Sequence, residues 1–156
     1  MKRERKTEFE KSLMLFFTGR VRVAAQVEKT KIDNFKNRKT ELNAMQAMVD
    51  EAASILHSKT ASIDELGKLL GESWKLKRTL SSSVSNPAID GIYQAGMDAG
   101  ALGGKILGAG GGGFILFFVR PEKQQQVREK LQSLLHVNFQ FEDTGSRIVL
   151  YDPKLL

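Results

Sequence analysis

The sequence has no cysteine, and its 156 residues include only three prolines and two histidines, His57 and His136. Without thiols the chain can form no disulfide, no thiolate metal site and no cysteine nucleophile. Two isolated imidazoles do not indicate a zinc site. No apolar run approaches the ~20 residues of a membrane helix, and no N-terminal stretch has the pattern of a signal peptide. We therefore expect a cytoplasmic protein with no membrane partner.

An excess of positive charge is present, with 24 Lys and Arg against 18 Asp and Glu. Part of it lies in "MKRERK", and we expect residues 1–8 to be a disordered or cloning-derived end. The remaining charges of both signs are interleaved, which is typical of solvated helix surfaces. Charge alone thus indicates no nucleic-acid partner. The length predicts one domain, over residues 9–156.

Hydrophobic periodicity predicts alternating strands and helices. We expect strands over 12–19 and 114–119, helices over 20–36, 41–57, 62–80 and 120–135, a further helix after Pro87, a strand before residue 108, and two strands over 137–152 around Gly145. Ser62 and Glu65 have the spacing of a capping box, and Ser85 and Asn86 are candidate helix caps. This order is typical of an α+β, ferredoxin-like split βαβ sandwich. We expect an antiparallel sheet of four to five strands with helices on one face.

Glycine is concentrated in one part of the chain, because ten of the 14 glycines lie between Gly91 and Gly113. The run "GAGGGG" at 108–113 directly precedes the apolar strand. Each ordered glycine costs ~0.5–1 kcal/mol relative to alanine, so such a run indicates a specific use. Uncovered main-chain N–H groups can bind an anion, and the lack of Cβ lets a second backbone approach. We expect the first use at 108–113 and close packing at Gly96, Gly100, Gly103 and Gly104.

Three familiar phosphate loops do not fit this context, and neither does an RNA-binding strand. A dinucleotide fingerprint opens a helix, but Phe114 to Val119 favour a strand. A P-loop needs Lys-Ser or Lys-Thr after the glycines, and a protein kinase needs H-R-D and D-F-G, all of which are absent. In an RNA-recognition strand, Gly110 and Gly112 would stand where a basic residue and a stacking aromatic are needed. RNA binding is therefore a minor alternative.

The stretch "GALGGKILGAGGGGFILFF" (residues 100–118) resembles the third motif of the galactokinase, homoserine kinase, mevalonate kinase and phosphomevalonate kinase (GHMP) superfamily. That motif reads Gly-x-Lys-x-Thr-Gly-Ala-Gly-x-Gly-Gly and is followed by a strand. Lys105 matches its lysine, while Leu107 replaces its threonine. The segments "VSNPAIDGIYQAGMDAGALGG" and "LMLFFTG" extend the resemblance back to about Phe9. Leu107, Phe114 and "LFFTG" are most similar to the sugar kinases of D-glycero-D-manno-heptose 7-phosphate.

The resemblance implies the C-terminal half of a kinase that uses ATP and Mg²⁺. The superfamily's main phosphate loop, Pro-x-x-x-Gly-Leu-x-Ser-Ser, belongs to an N-terminal domain and does not occur here. That domain and a phosphorylated sugar are the expected partners. This chain alone is expected to be inactive, with no catalytic residue, no metal ligand and no tightly bound cofactor.

The residues expected to line the substrate and ATP site are Lys105, Gly108, Ala109, Gly110, Gly111, Gly112 and Gly113. We expect Lys105 to orient the glycine loop or to meet a phosphorylated substrate, the alternative being an exposed lysine at a strand end. Asp90, Asp98 and Asp143 form no catalytic pattern. A second hypothesis is a free-standing ferredoxin-like module for ligand binding or regulation.

Overall fold

The computed structural model describes residues 1–20 and 38–147, so the predicted helix over 20–36 and the strand expected after Gly145 fall on residues outside the described ranges. None of the helices in these ranges combines the length and apolar character that a bilayer span requires. The elements in chain order are α1 (Arg3–Lys11), β1 (Leu13–Phe17), α2 (Lys39–His57), α3 (Asp64–Thr79), α4 (Pro87–Asp98), β2 (Gly103–Ile106), β3 (Phe114–Phe118), a 3-10 turn (Pro121–Lys123), α5 (Gln124–Lys130) and β4 (Leu135–Val137).

The described strands form one antiparallel sheet in the order β2-β3-β1-β4. Strand β3 lies between β1 and β2, so the α2–α4 helices connect two strands that are not neighbours. This is the split βαβ arrangement, and it confirms the α+β prediction. The β2–β3 hairpin leaves residues 107–113 as its loop, at the same end of the sheet as Phe17 of β1.

Alternate strand residues bury one face of the sheet under α4 and α5. Met14, Phe16, Ile115 and Phe117 are fully buried there, in a cluster that also contains Trp74 of α3. Helix α4 comes close because it has glycine at 96, where a Cβ would lie 2.5 Å from the Phe117 ring. On the opposite face Phe118 belongs to a second cluster, with Ile55, Ile63 and Leu66 from the α2–α3 hairpin. Helices therefore pack on both faces of the sheet, whereas the sequence predicts them on one.

Helix α3 packs along β2 in direct backbone contact. A Cβ on Gly103 would lie 1.9 Å from the carbonyl oxygen of Gly67 and 2.8 Å from the amide nitrogen of Gly71. At Gly104 a Cβ would lie 2.6 Å from the Phe117 ring, so both glycines are close-packing positions as expected. Gly100 has a φ of 106° and follows the end of α4, which only glycine does without strain.

The expectation of disorder at residues 1–8 is wrong, because helix α1 begins at Arg3. Arg5 holds this helix against the end of α2, because its Nη2 donates to the carbonyl oxygens of Ile55 at 3.0 Å and Ala61 at 2.7 Å. At the other end of α1, the Phe9 ring stacks on Phe118 with centroids 6.3 Å apart. These tertiary contacts stabilise a helix whose basic sequence alone indicates an unfolded end.

The capping box predicted at Ser62 and Glu65 does not form. Helix α3 begins at Asp64, and Ser62 Oγ accepts a hydrogen bond from the Asp64 amide at 3.2 Å. The Glu65 carboxylate accepts instead from Lys68 Nζ at 2.8 Å. The predicted spacing fails because Ser62 precedes the helix by two residues rather than one.

The helix predicted over 120–135 is also too long. Helix α5 ends at Lys130, and the edge strand β4 begins at Leu135, so the following residues turn back to pair with β1. Residues 138–147, where the first strand of a hairpin was expected, have no helix or strand. Pairing with β1 makes residues 135–137 a strand, although the sequence there continues the helical periodicity. That periodicity therefore does not show where the helix ends.

A substitution at the α3–β2 contact tests this packing. The added methyl group of Gly103→Ala would collide with the backbone of α3 at Gly67 and must push the helix away from β2. We therefore expect this variant to lower the free energy of unfolding by at least ~2–3 kcal/mol. Gly91→Ala is the matched control, because Gly91 lies in α4 with nothing within 4 Å of its would-be Cβ. It is expected to stabilise by ~0.5–1 kcal/mol. Urea unfolding midpoints measure both, and equal stability of the two variants would contradict the close contact.

Candidate functional site

The glycine loop closes the β2–β3 hairpin at one end of the sheet. The Leu107 amide donates to the Phe114 carbonyl oxygen at 2.9 Å, which fixes the base of the loop. Four loop residues have positive φ, namely Gly108 at 66°, Gly110 at 109°, Gly111 at 76° and Gly113 at 85°. Only glycine adopts these conformations without strain, so the local sequence dictates the path of the loop.

The inner part of the loop, Gly110 to Gly113, lies against two other backbone segments, and Gly110 to Gly112 are buried there. The Gly111 amide donates to Val84 O at 2.8 Å, and the Gly113 amide donates to Arg20 O at 2.7 Å. A Cβ on Gly110 would lie 2.8 Å from Val84 O, and one on Gly112 would lie 2.7 Å from Arg20 O. The expectation of uncovered amides over 108–113 is therefore wrong at Gly111 and Gly113, whose N–H groups bond inside the domain. These glycines permit a tight backbone crossing.

The outer part of the loop, Leu107 to Ala109, is different. Leu107 and Gly108 are exposed, and Ala109 is half-buried. Residues 1–20 and 38–147 supply no hydrogen-bond acceptor to the main-chain N–H groups of Gly108 and Ala109. Adjacent amides in such a turn form a concave donor surface of the kind that binds anions. This is the part of the predicted site that can meet a ligand.

Two polar side chains hold the inner part of the loop. Thr18 donates to Gly113 O through its amide at 2.9 Å and its hydroxyl at 2.8 Å. Asn86 Oδ1 accepts from the amides of Ala88 and Ile89 at 3.1 Å, which confirms it as the cap of α4, and its Nδ2 donates to Gly111 O at 3.4 Å. Asn86 thus ties the start of α4 to the loop.

Ser85 makes no cap. Its hydroxyl donates to the Asp90 carboxylate at 2.6 Å, one turn into α4.

Lys77, which the sequence analysis missed, holds the start of the loop from beneath. Its side chain is only 7% exposed, and Nζ donates to Ile106 O at 3.1 Å and to Gly108 O. A signal for it exists in the sequence: Lys77 continues the apolar spacing of Ile63, Leu66, Leu70 and Trp74 along α3. A lysine on the buried stripe of a helix is uncommon and indicates a specific partner.

Lys105 has a different environment from the one expected. Because side chains alternate along a strand, it points to the sheet face opposite Ile106. There its Nζ donates to Ser73 Oγ of α3 at 2.9 Å, and burial lowers the pKa of this ammonium. Lys105 is half-buried, so it is not the exposed strand-end lysine of the alternative. Within the described ranges it makes no bond to the loop, which Lys77 holds instead.

An exposed apolar rim borders the loop. Phe114 is 41% exposed, Leu107 is 37% exposed and Leu135 is 66% exposed. The Phe114 ring contacts the Phe17 ring of β1 at 5.3 Å between centroids, and Leu135 is the register partner of Phe17. Large apolar side chains that cluster at one end of a sheet mark a surface suited to contact with another protein body or ligand.

No general acid, base or metal centre is visible in the part of the chain that the structure describes. Within 1–20 and 38–147, no group of three His, Asp or Glu side chains is arranged to hold a metal ion. Asp90 is paired with Arg78 at 2.9 Å, and Asp98 accepts from Gln94 at 2.7 Å. Within the described residues, the site therefore consists of the main-chain amides of the glycine loop and the ammonium of Lys77 beneath it.

Known proteins are similar to this chain in sequence and in fold. D-glycero-alpha-D-manno-heptose 7-phosphate kinase of Campylobacter jejuni is 35% identical over 127 residues, which are 81% of this chain and 37% of that protein. The crystal structure of a putative sugar kinase from Campylobacter jejuni superposes with a TM-score of 0.54 at 28% identity, over 91% of this chain and 40% of that one.

The crystal structure of Methanococcus jannaschii mevalonate kinase superposes with a TM-score of 0.70 over 88% of this chain and 42% of that one. Its 22% identity supports the shared fold alone. The chain thus spans less than half the length of each of these proteins.

A family profile described as "GHMP kinases C terminal" matches residues 44–137, which run from α2 through β4. The match includes the glycine loop, Lys77 and Lys105. The chain therefore belongs to the GHMP kinase family, and this region is the family's C-terminal domain.

Proposed function

We propose that this chain is the C-terminal part of an ATP-dependent sugar kinase whose substrate is a heptose phosphate. The identity of 35% to a heptose 7-phosphate kinase is the observation that carries the choice of substrate. The amides of Gly108 and Ala109, which find no acceptor in the described part of the chain, agree with it, because a phosphoryl group offers oxygen acceptors to main-chain donors.

In this proposal the outer part of the loop holds a phosphoryl group of the sugar phosphate or of ATP. The amides of Gly108 and Ala109 donate to its oxygens. The ammonium of Lys105, which donates to Ser73 Oγ at 2.9 Å and whose pKa burial lowers, is the second candidate contact for a phosphoryl oxygen. Leu107 stands where the family motif has threonine, so this loop works through main-chain donors without that hydroxyl.

The remainder of the active site comes from an N-terminal GHMP domain in this proposal. The described residues offer no metal-ligand set, so we assign Mg²⁺ and most ATP contacts to that domain. The exposed rim of Leu107, Phe114 and Leu135 is the surface that it would cover. Phosphoryl transfer depends on positioning and charge stabilisation by several elements together, so the C-terminal part is expected to be inactive alone.

The decisive experiment uses the full-length protein. ATP, Mg²⁺ and one of three acceptors are supplied: D-glycero-D-manno-heptose 7-phosphate, the same heptose without phosphate, and mevalonate. We expect the heptose 7-phosphate to be phosphorylated with the highest kcat/KM, measured by ADP release and ³¹P NMR. Turnover of mevalonate alone would refute the sugar assignment, and no turnover of any acceptor would favour a free-standing module.

A charge placed on the loop tests its contact with phosphate. Ala109→Asp puts a carboxylate beside the proposed phosphoryl site, and we expect a loss of tenfold or more in kcat/KM, about 1.4 kcal/mol. Ala109→Asn is the matched control, because it has nearly the same size without the charge, and it should retain most activity. If both variants lose activity equally, size rather than charge is responsible and the phosphate contact is wrong.

Replacement of the half-buried lysine tests its role separately. Lys105→Met removes an ammonium whose burial disfavours its charged form, so the unfolding midpoint is expected to stay the same or rise. If the ammonium bonds a phosphoryl oxygen, kcat/KM falls by roughly 10–100-fold, the equivalent of one charge-assisted hydrogen bond. Thermal unfolding and steady-state kinetics measure the two effects. A variant with lowered stability and normal kinetics would make Lys105 structural.

A further inference from the structure

Lys77 places a positive charge inside the domain, where an apolar residue would be expected. The residue lies on the buried stripe of α3, and its ammonium donates to the carbonyl oxygens of Ile106, at 3.1 Å, and Gly108. Moving an ammonium out of water is costly unless strong acceptors replace the water. The two carbonyls are such acceptors, and both belong to the strand end and loop of the candidate site.

The carbonyl of Gly108 controls the direction of a second group. In a trans peptide the C=O and N–H bonds point in opposite directions, and no described peptide is cis. The oxygen of Gly108 shares its peptide with the N–H of Ala109. When Lys77 holds this oxygen inside the domain, the Ala109 N–H must point away from Lys77.

The same logic applies at Ile106, and there the result is visible. Its carbonyl oxygen bonds to Lys77, while the N–H of the same peptide, on Leu107, donates to Phe114 O at 2.9 Å. That peptide is therefore held on both sides. The Gly108–Ala109 peptide is held on one side only, since within the described ranges its N–H has no acceptor.

The hydrogen bond from Lys77 to the Gly108 carbonyl matters because glycine makes the Gly108–Ala109 peptide easy to rotate. Gly108 has a φ of 66°, is exposed and would have nothing within 4 Å of a Cβ. Sterics alone therefore do not select one orientation of the peptide. In the other orientation a carbonyl oxygen would face outward and repel a phosphoryl oxygen.

We propose that Lys77 is a positioning residue that fixes the Gly108–Ala109 peptide with its N–H outward, toward a phosphoryl oxygen of the substrate or of ATP. The identity of the ligand rests on the proposed function. The orientation of the peptide rests only on the hydrogen bonds of Lys77 and on peptide geometry.

Steady-state kinetics of the full-length kinase test the functional consequence. We expect Lys77→Met to raise KM at least tenfold for one phosphorylated substrate, either ATP or the heptose 7-phosphate, and to leave the other KM unchanged. The affected substrate then identifies the phosphoryl group that the loop meets. Lys77→Arg keeps a charged donor and should return KM to within about threefold of the wild-type value. Loss of folded protein alone would lower kcat with both KM values unchanged, and that outcome would overturn the proposal.

Lys75→Met is the matched control on the same helix. Its ammonium is exposed and pairs with Glu72 at 2.7 Å, so its removal should change neither KM. If Lys77→Met does not fold, Lys77→Gln, which retains a neutral donor, replaces it and should raise the same KM to a smaller extent. An unchanged KM in Lys77→Gln would overturn the proposal as well.

Crystal structures of the wild-type and Lys77→Met full-length proteins, without ligands, test the orientation directly. We expect the Gly108 carbonyl to point inward in the wild type and outward in the variant. An inward carbonyl in Lys77→Met would overturn the proposal. The crystal structures do not depend on catalysis. If the full-length protein phosphorylates no sugar, the proposed function is refuted, but the two structures still show whether Lys77 sets the orientation of the Gly108–Ala109 peptide.

Discussion

The backbone contact between α3 and β2 is the constraint on which the site depends. Gly103 and Gly67 meet without side chains between them, and this brings the helix and the edge strand into alignment. Gly103 also contacts Gly71, and Lys77 lies six residues beyond Gly71 along α3, about 9 Å at 1.5 Å per residue. Ile106, whose carbonyl oxygen accepts from Lys77, lies three residues beyond Gly103 along β2, about 10 Å at the rise of a strand. The two advances match, so a contact at one end of the pair places the ammonium of Lys77 under the loop at the other end.

The glycine run serves two physical purposes in one short segment. Gly110 and Gly112 allow the backbones at Val84 and Arg20 to approach, and the amides of Gly111 and Gly113 donate to the carbonyl oxygens of those two residues. In the exposed outer turn, the Gly108 and Ala109 amides have no acceptor among residues 1–20 and 38–147, and these are the donors that we propose for a ligand. The glycine content thus positions the turn to which the proposed function assigns phosphoryl binding, and in that proposal a second kinase domain completes the site.

Most of the fold could be predicted because local signals and tertiary structure agree. The aromatic run of β1, the amphipathic pattern of α2 and the strand after the glycines were all identified, and so was the split βαβ order. The errors lie where tertiary contacts override local preference. Helix α1 depends on Arg5 and Phe9 meeting distant partners, and β4 interrupts a helical pattern because it pairs with β1.

The sequence by itself determined the family and the position of the loop, through the motif at residues 100–118. It also determined the need for glycine there, because only glycine adopts positive φ without strain and leaves the main-chain amides uncovered by a side chain. Only the tertiary structure decided which loop amides bond within residues 1–20 and 38–147, which do not, and which lysine holds the loop. Sequence spacing places Lys105 next to the glycines, yet strand alternation turns it to Ser73. Lys77 is 31 residues from Gly108, and it reaches the loop only because α3 packs along β2. Such a long-range contact has no signature in local sequence beyond one charge on an apolar stripe.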